Sequence, residues 1–98
     1  ATVGGMRITE PAVDLALALA VASAARDFAI SPSLIAIGEV GLAGEVRRVA
    51  GIRRRLSEAA RLGVTTAIVP TGSGPYPDGL KVHEVDTVRQ ALGVVAPN

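Results

Sequence analysis

The apolar positions of this chain change period along its length, and each change marks an element. Ala1 to Ile8 reads as a short strand weakened by Gly4 and Gly5. It ends at a helix start signal, Thr9 in the N-cap position with Glu10 and Pro11 in the first turn. The helix should run to about Phe28. Leu15, Leu17, Leu19 and Val21, with alanines between them, make it apolar on almost every side, which predicts a spine buried between layers. After the Ser31-Pro32 turn, Leu34 to Leu42 is strand-like but contains Glu39, and Gly44 with Glu45 divides it from Val46 to Val49, so the simplest reading is a hairpin. From Gly51 to Leu62 the residues Ile52, Leu56, Ala59 and Ala60 recur at helical spacing, and Gly63 stands where a left-handed C-terminal cap belongs. Val64 to Val69 is a β-branched strand closed by Pro70, Thr71 to Gly79 is a loop, and Leu80 to Val85 alternates as a strand. Asp86 is the expected cap of a last short helix, Val88 to Leu92, before a tail from Val94 to Asn98. The order β-α-β-β-α-β-β-α predicts a single α/β domain of the two-layer α+β kind with a mixed sheet.

Composition narrows the chemistry. With 98 residues the chain suits one small domain, and 49% apolar against 19% charged residues, at a mean hydropathy of +0.42, excludes a disordered chain. One Phe, one Tyr and no Trp leave an aliphatic core and no aromatic platform for stacking nucleobases. The absence of cysteine removes disulfides, thiolate metal sites, Fe–S clusters and cysteine nucleophiles, and suits a reducing cytoplasm, the expected location. His83 is the only histidine and no carboxylate cluster offers the oxygen ligands of Ca²⁺, so no metal or other cofactor is expected in this chain. The apolar run from Pro11 to Ala25 is interrupted by Asp14 and Ser23 and falls short of the roughly 18 to 20 strongly apolar residues of a membrane span. Ala1 to Gly5 has no basic region of the signal-peptide kind, and no membrane partner is expected.

A net charge of +1 hides an asymmetry. Arg47, Arg48, Arg53, Arg54, Arg55 and Arg61 stand against Glu58 alone in that stretch. Arg53 to Arg55 fall near the start of the second helix, where each cation opposes the macrodipole by about a few tenths of a kcal/mol. Helix stability does not choose that placement. Arginine suits phosphate because its planar fork donates parallel hydrogen bonds. A solvated helix face, or pairing with carboxylates of another subunit, would use the same residues, and Arg61 has Glu58 one turn back as a partner.

The usual enzyme signatures are missing. No GxxxxGK[ST] loop is present, and the glycines of Gly38 to Gly41 and of Gly72 to Gly74 do not sit between a strand and a helix as a nucleotide-binding turn requires. Ser23 is expected to bond a carbonyl one turn back. Ser31, Ser33 and Ser73 lie in turns, with His83 as the sole imidazole base, and Asp14 reads as a partner of the helix dipole.

The stretch Ile37-Gly38-Glu39-Val40-Gly41-Leu42-Ala43-Gly44-Glu45-Val46-Arg47-Arg48-Val49, followed by Ile52 and by Glu58-Ala59-Ala60-Arg61-Leu62-Gly63, resembles the C-terminal domain of the bacterial RadA (Sms) DNA-repair family. Val3-Gly4-Gly5-Met6-Arg7-Ile8, Glu10-Pro11 and Asp14-Leu15-Ala16 fit the same family. That domain is similar to the proteolytic domain of Lon proteases, a ribosomal protein S5 domain 2-like fold. The resemblance implies that Ala12 stands at the position of the Lon serine and Arg53 at that of its lysine. Alanine carries no nucleophile and an arginine stays protonated, so no peptidase chemistry is expected. It further implies a scaffold of a DNA-dependent ATPase in recombinational repair, with branch migration, hexameric assembly, recombinase partners and contact to single-stranded, double-stranded or branched DNA. Arg47, Arg48, Arg53, Arg54 and Arg55 are the candidate phosphate contacts. ATP, Mg²⁺ and Zn²⁺ would belong to other domains of such a protein, and the start of this chain is expected to fall inside the Lon-like domain. A Lon-like peptidase remnant and a purely structural oligomerisation module are the alternatives.

Overall fold

In the computed structural model residues 10–97 are described in full, together with the backbone of residues 2–3 and 6–7. The expected first strand is divided: β1 (Thr2–Val3) pairs antiparallel with β2 (Met6–Arg7), Thr2 opposite Arg7 and Val3 opposite Met6. The proposed cap Thr9 lies outside the described residues. Pro11–Val13 forms a 3-10 turn with Pro11 at its start, where a missing N–H forfeits no helical bond. Helix α1 (Asp14–Arg26) follows directly and stops short of Phe28. Asp27 turns left-handed at φ 57° and the Phe28 N–H folds back on the Ser23 carbonyl at 3.0 Å, which ends the helix.

The remaining elements are β3 (Leu34–Ala36), β4 (Glu39–Val40), β5 (Val46–Arg47), α2 (Ile52–Arg61), β6 (Thr66–Pro70), β7 (Lys81–Val85) and α3 (Val88–Val95). The α/β fold is the expected one, with the parallel and antiparallel pairings in separate sheets. β3, β6 and β7 form a parallel sheet with β6 in the centre, and β4 pairs antiparallel with β5. The predicted hairpin over Leu34 to Val49 is therefore only half right. Leu34–Ala36 joins β6, and the chain leaves that sheet at Gly38, whose N–H donates to the Ala12 carbonyl at 3.0 Å. A Cβ at Gly38 would meet Val46 Cγ1 at 2.9 Å, so glycine is what lets the hairpin fold back over the start of α1.

Ala67, Ile68, Val69 and Pro70 are all buried on β6, and alternate side chains reach opposite faces. Ala67 and Val69 pack with Ala12, Ile37 and the α2 residues Ile52 and Leu56. Ile68 packs with Leu15 and Leu19 of α1, Val85 of β7 and Ala91 of α3. The expectation that α1 is buried on almost every side is corrected: Leu17 is 55% and Val21 70% exposed, because α1 lies on one face of the sheet against α3. Helix α2 behaves as its spacing predicts, with Gly63 at φ 100° and its N–H on the Ala60 carbonyl at 3.1 Å. Thr87, not Asp86, caps α3: its hydroxyl accepts the Gln90 N–H at 3.1 Å, while the Gln90 side chain accepts the Asp86 N–H at 2.6 Å. That helix runs on to Val95, past the predicted end at Leu92.

Candidate functional site

Ala12 sits in the 3-10 turn, only 5% exposed, and floors a cavity of about 510 Å³. The walls come from Pro11, from Val49 and Ala50 before α2, and from four charged side chains, Glu10, Glu39, Arg48 and Arg55. From α2 the cavity wall takes Arg55, whereas Arg53, the position that the resemblance implies for the Lon lysine, does not line it. Residues two apart on a helix point about 200° apart, so a shift of two positions selects the opposite side. The Glu10 carboxylate holds Arg55 by a hydrogen-bonded ion pair. Asp14 does more than face the helix dipole, since its carboxylate accepts the Val40 N–H at 3.2 Å and ties α1 to β4.

The arginines divide into two sets. Arg47 donates to Glu45 at 2.6 Å and lies 3.8 Å from Glu39, and Arg61 pairs with Glu58 as expected. The Arg47 hydrogen bond holds the Glu45 carboxyl below the usual carboxylate range, helped by its own backbone, and raises Arg47 in turn. Arg48, Arg53 and Arg54 have no carboxylate within ion-pair distance among the described residues. All are exposed, and no acidic residue occupies the first turn of α2 to offset Arg53 and Arg54.

Other hydroxyls and the histidine have structural surroundings. Ser23 donates to the Ala20 carbonyl at 2.9 Å, Ser31 accepts the Ser33 N–H at 3.2 Å, and buried Ser73 donates to the Pro70 carbonyl at 2.5 Å. Lys81, the sole lysine, lies two strands from Leu34 across Thr66, roughly 10 Å at ordinary strand spacing, so Ser33 has no adjacent amine. His83 is half-buried on β7, opposite Ile68. The composition alone did not point to the loop after β6. There Glu84 accepts both the Gly72 N–H, at 3.1 Å, and the Tyr76 hydroxyl. Burial, then the Glu84 hydrogen bond, pushes the Tyr76 phenol up to about 12, and the same hydroxyl draws Glu84 below the ordinary carboxylate value.

These features define an α/β module with an alanine-floored, charge-lined cavity beside an arginine-bearing helix. The chain belongs to the family described as ChlI, subunit ChlI of Mg-chelatase, whose model matches residues 4–73. Among its relatives it is 63% identical over 91 residues to the DNA repair protein RadA of Mycolicibacterium smegmatis, covering 93% of this chain and 20% of that protein. The RadA proteins of Mycobacterium tuberculosis and Synechocystis sp. are 53% and 44% identical, over 93% and 96% of this chain and 19% of each relative. The resemblance to RadA therefore holds along nearly the whole chain, which spans about a fifth of the length of these relatives. Among the described residues no group of three or more His, Asp or Glu side chains is placed to hold a metal ion. No described helix is long and apolar enough to cross a membrane.

Proposed function

We propose that this chain is the non-proteolytic, Lon-like scaffold of a RadA-type DNA-dependent ATPase that acts in recombinational DNA repair. It contributes to subunit assembly and presents arginines to DNA phosphates during branch migration, in the cytoplasm. ATP, Mg²⁺ and Zn²⁺ serve other parts of the protein, assembly is hexameric, and recombinases are its protein partners. The observation that supports this reading is that Arg48, Arg53 and Arg54 are each exposed and without a carboxylate partner among the described residues, in a chain whose other arginines of that stretch are paired. Unpaired guanidinium groups release counterions when they meet phosphate, whereas paired ones must first give up a carboxylate. The names of the relatives and an alanine at the cavity floor support it.

The test is the salt dependence of duplex binding by the full protein with Arg53→Ala and Arg54→Ala together. Loss of both contacts should lower the salt slope by about 2 and weaken all sequences alike. An unchanged affinity and slope would remove the assignment. One observation favours a structural reading as well: Val13, Leu17 and Val21, spaced four residues apart on or beside α1, are 40%, 55% and 70% exposed. If that stripe is a subunit contact, Leu17→Asp should dissociate the assembly in light scattering while the arginine double variant leaves it intact.

A further inference from the structure

The cavity over Ala12 has opposed charges on its rim that the contacts of Arg53 and Arg54 do not use. Arg48 and Arg55 provide the cations, Glu10 and Glu39 the anions. The two carboxylates are engaged differently. Glu39 lies 3.8 Å from Arg47, which is not part of the cavity wall, whereas Glu10 bonds directly to Arg55 on the rim. Arg48 is without a carboxylate among the described residues. The Arg55 and Glu10 side chains are 43% and 48% exposed, so water screens the pair and it adds little to folding stability. What the pair does accomplish is to place an oxyanion on a guanidinium at the mouth of an open cavity. A phosphate diester presents the same oxygen chemistry to the same fork, and Arg48 stands on the same rim to share it.

We infer that this cavity is a phosphate subsite of the DNA-contacting surface, in which Arg48 and Arg55 take a backbone phosphate and Glu10 is the carboxylate it displaces. The inference rests on the proposed role of the arginine face and extends it to the cavity. With Glu10 ionised the rim is balanced, and an incoming phosphate exchanges one anion for another on Arg55. With glutamine in place of Glu10 the rim carries a net positive charge, and the same contact releases a counterion. Glu10 thereby limits how tightly the surface holds DNA.

The experiment is the affinity of the full protein bearing Glu10→Gln for a fluorescent duplex, read by anisotropy between low and high salt. Glutamine keeps the shape of the side chain, and a thermal melt by circular dichroism checks the fold. Binding should tighten, and one added contact should enlarge the affinity ratio between 50 and 200 mM salt by about threefold. Adding Arg55→Ala to Glu10→Gln should cancel the gain. Unchanged or weaker binding by Glu10→Gln overturns the inference, as does a gain that survives loss of Arg55, since that would be a general charge effect. The Arg53→Ala, Arg54→Ala double variant, measured alongside, separates the two failures. If it lowers the slope while Glu10→Gln does nothing, only the subsite falls; if neither acts, the arginine face falls with it.

Discussion

Glu84 closes the loop between two parallel strands by accepting from two donors, the Gly72 N–H and the Tyr76 hydroxyl. Because folding raises the Tyr76 phenol from 10.0 to about 12, the stability gained by keeping it neutral is complete below pH 10.0 and is lost as pH rises towards about 12. Glu84 runs the other way: its folded value is lowered, so its contribution is present above 4.5 and is lost as pH falls through the folded value. This is the chain's only tyrosine and there is no tryptophan, so an ultraviolet absorbance titration reads it alone. A midpoint near 12 is expected; a midpoint near 10.0 would mean the loop does not hold the phenol. The same scale shows where sequence reading stops. That Ala12 offers no nucleophile is plain from the chain, but which α2 arginine lines the cavity above it depends on helix rotation, and in the structure that residue is Arg55.

Helices α1 and α2 were equally evident as apolar-periodic segments, yet they are buried to different degrees. Leu56 is fully buried between α2 and the sheet, while Leu17 is more than half exposed on α1. Leu56→Ala should cost about 2–5 kcal/mol in chemical denaturation. Leu17→Ala should change folding stability within about 0.5 kcal/mol, and a large loss there would show that the stripe is covered. Thr87→Ala should cost about 1 kcal/mol by removing the cap of α3, whereas Asp86→Ala, predicted from the sequence to matter more, should cost less. The strands were legible as segments because Gly and Pro punctuate them. Their partners were not: Leu34–Ala36 has the same β-forming residues whether it joins β4 in a hairpin or β6 in parallel, and the choice is made by distant packing of Ile68 and Leu15.

At the scale of the whole molecule, charge is distributed by pairing more than by count. Six arginines of one stretch look alike in the sequence, but Arg47, Arg55 and Arg61 are held by Glu39 of β4, Glu45 just before β5, Glu10 before the 3-10 turn and Glu58 of α2. Only folding reveals that Arg48, Arg53 and Arg54 have no carboxylate partner among the described residues. The resemblance to RadA was legible because the glycines and glutamates from Gly38 to Glu45 form a recognisable pattern, which in the structure is a tight hairpin, β4 paired with β5. The exposed apolar stripe of α1 was not, since it depends on which side of α1 the sheet covers.

The most direct measurement is the slope of log affinity for a duplex against log salt, for the full protein, the Arg53→Ala, Arg54→Ala double variant and Arg47→Ala. The double variant should lose about 2 from the slope, and Arg47→Ala, whose guanidinium already serves Glu45 and Glu39, should lose less than about 1. Equal slopes for the double variant and the unaltered protein would contradict a phosphate-contacting role for the unpaired arginines.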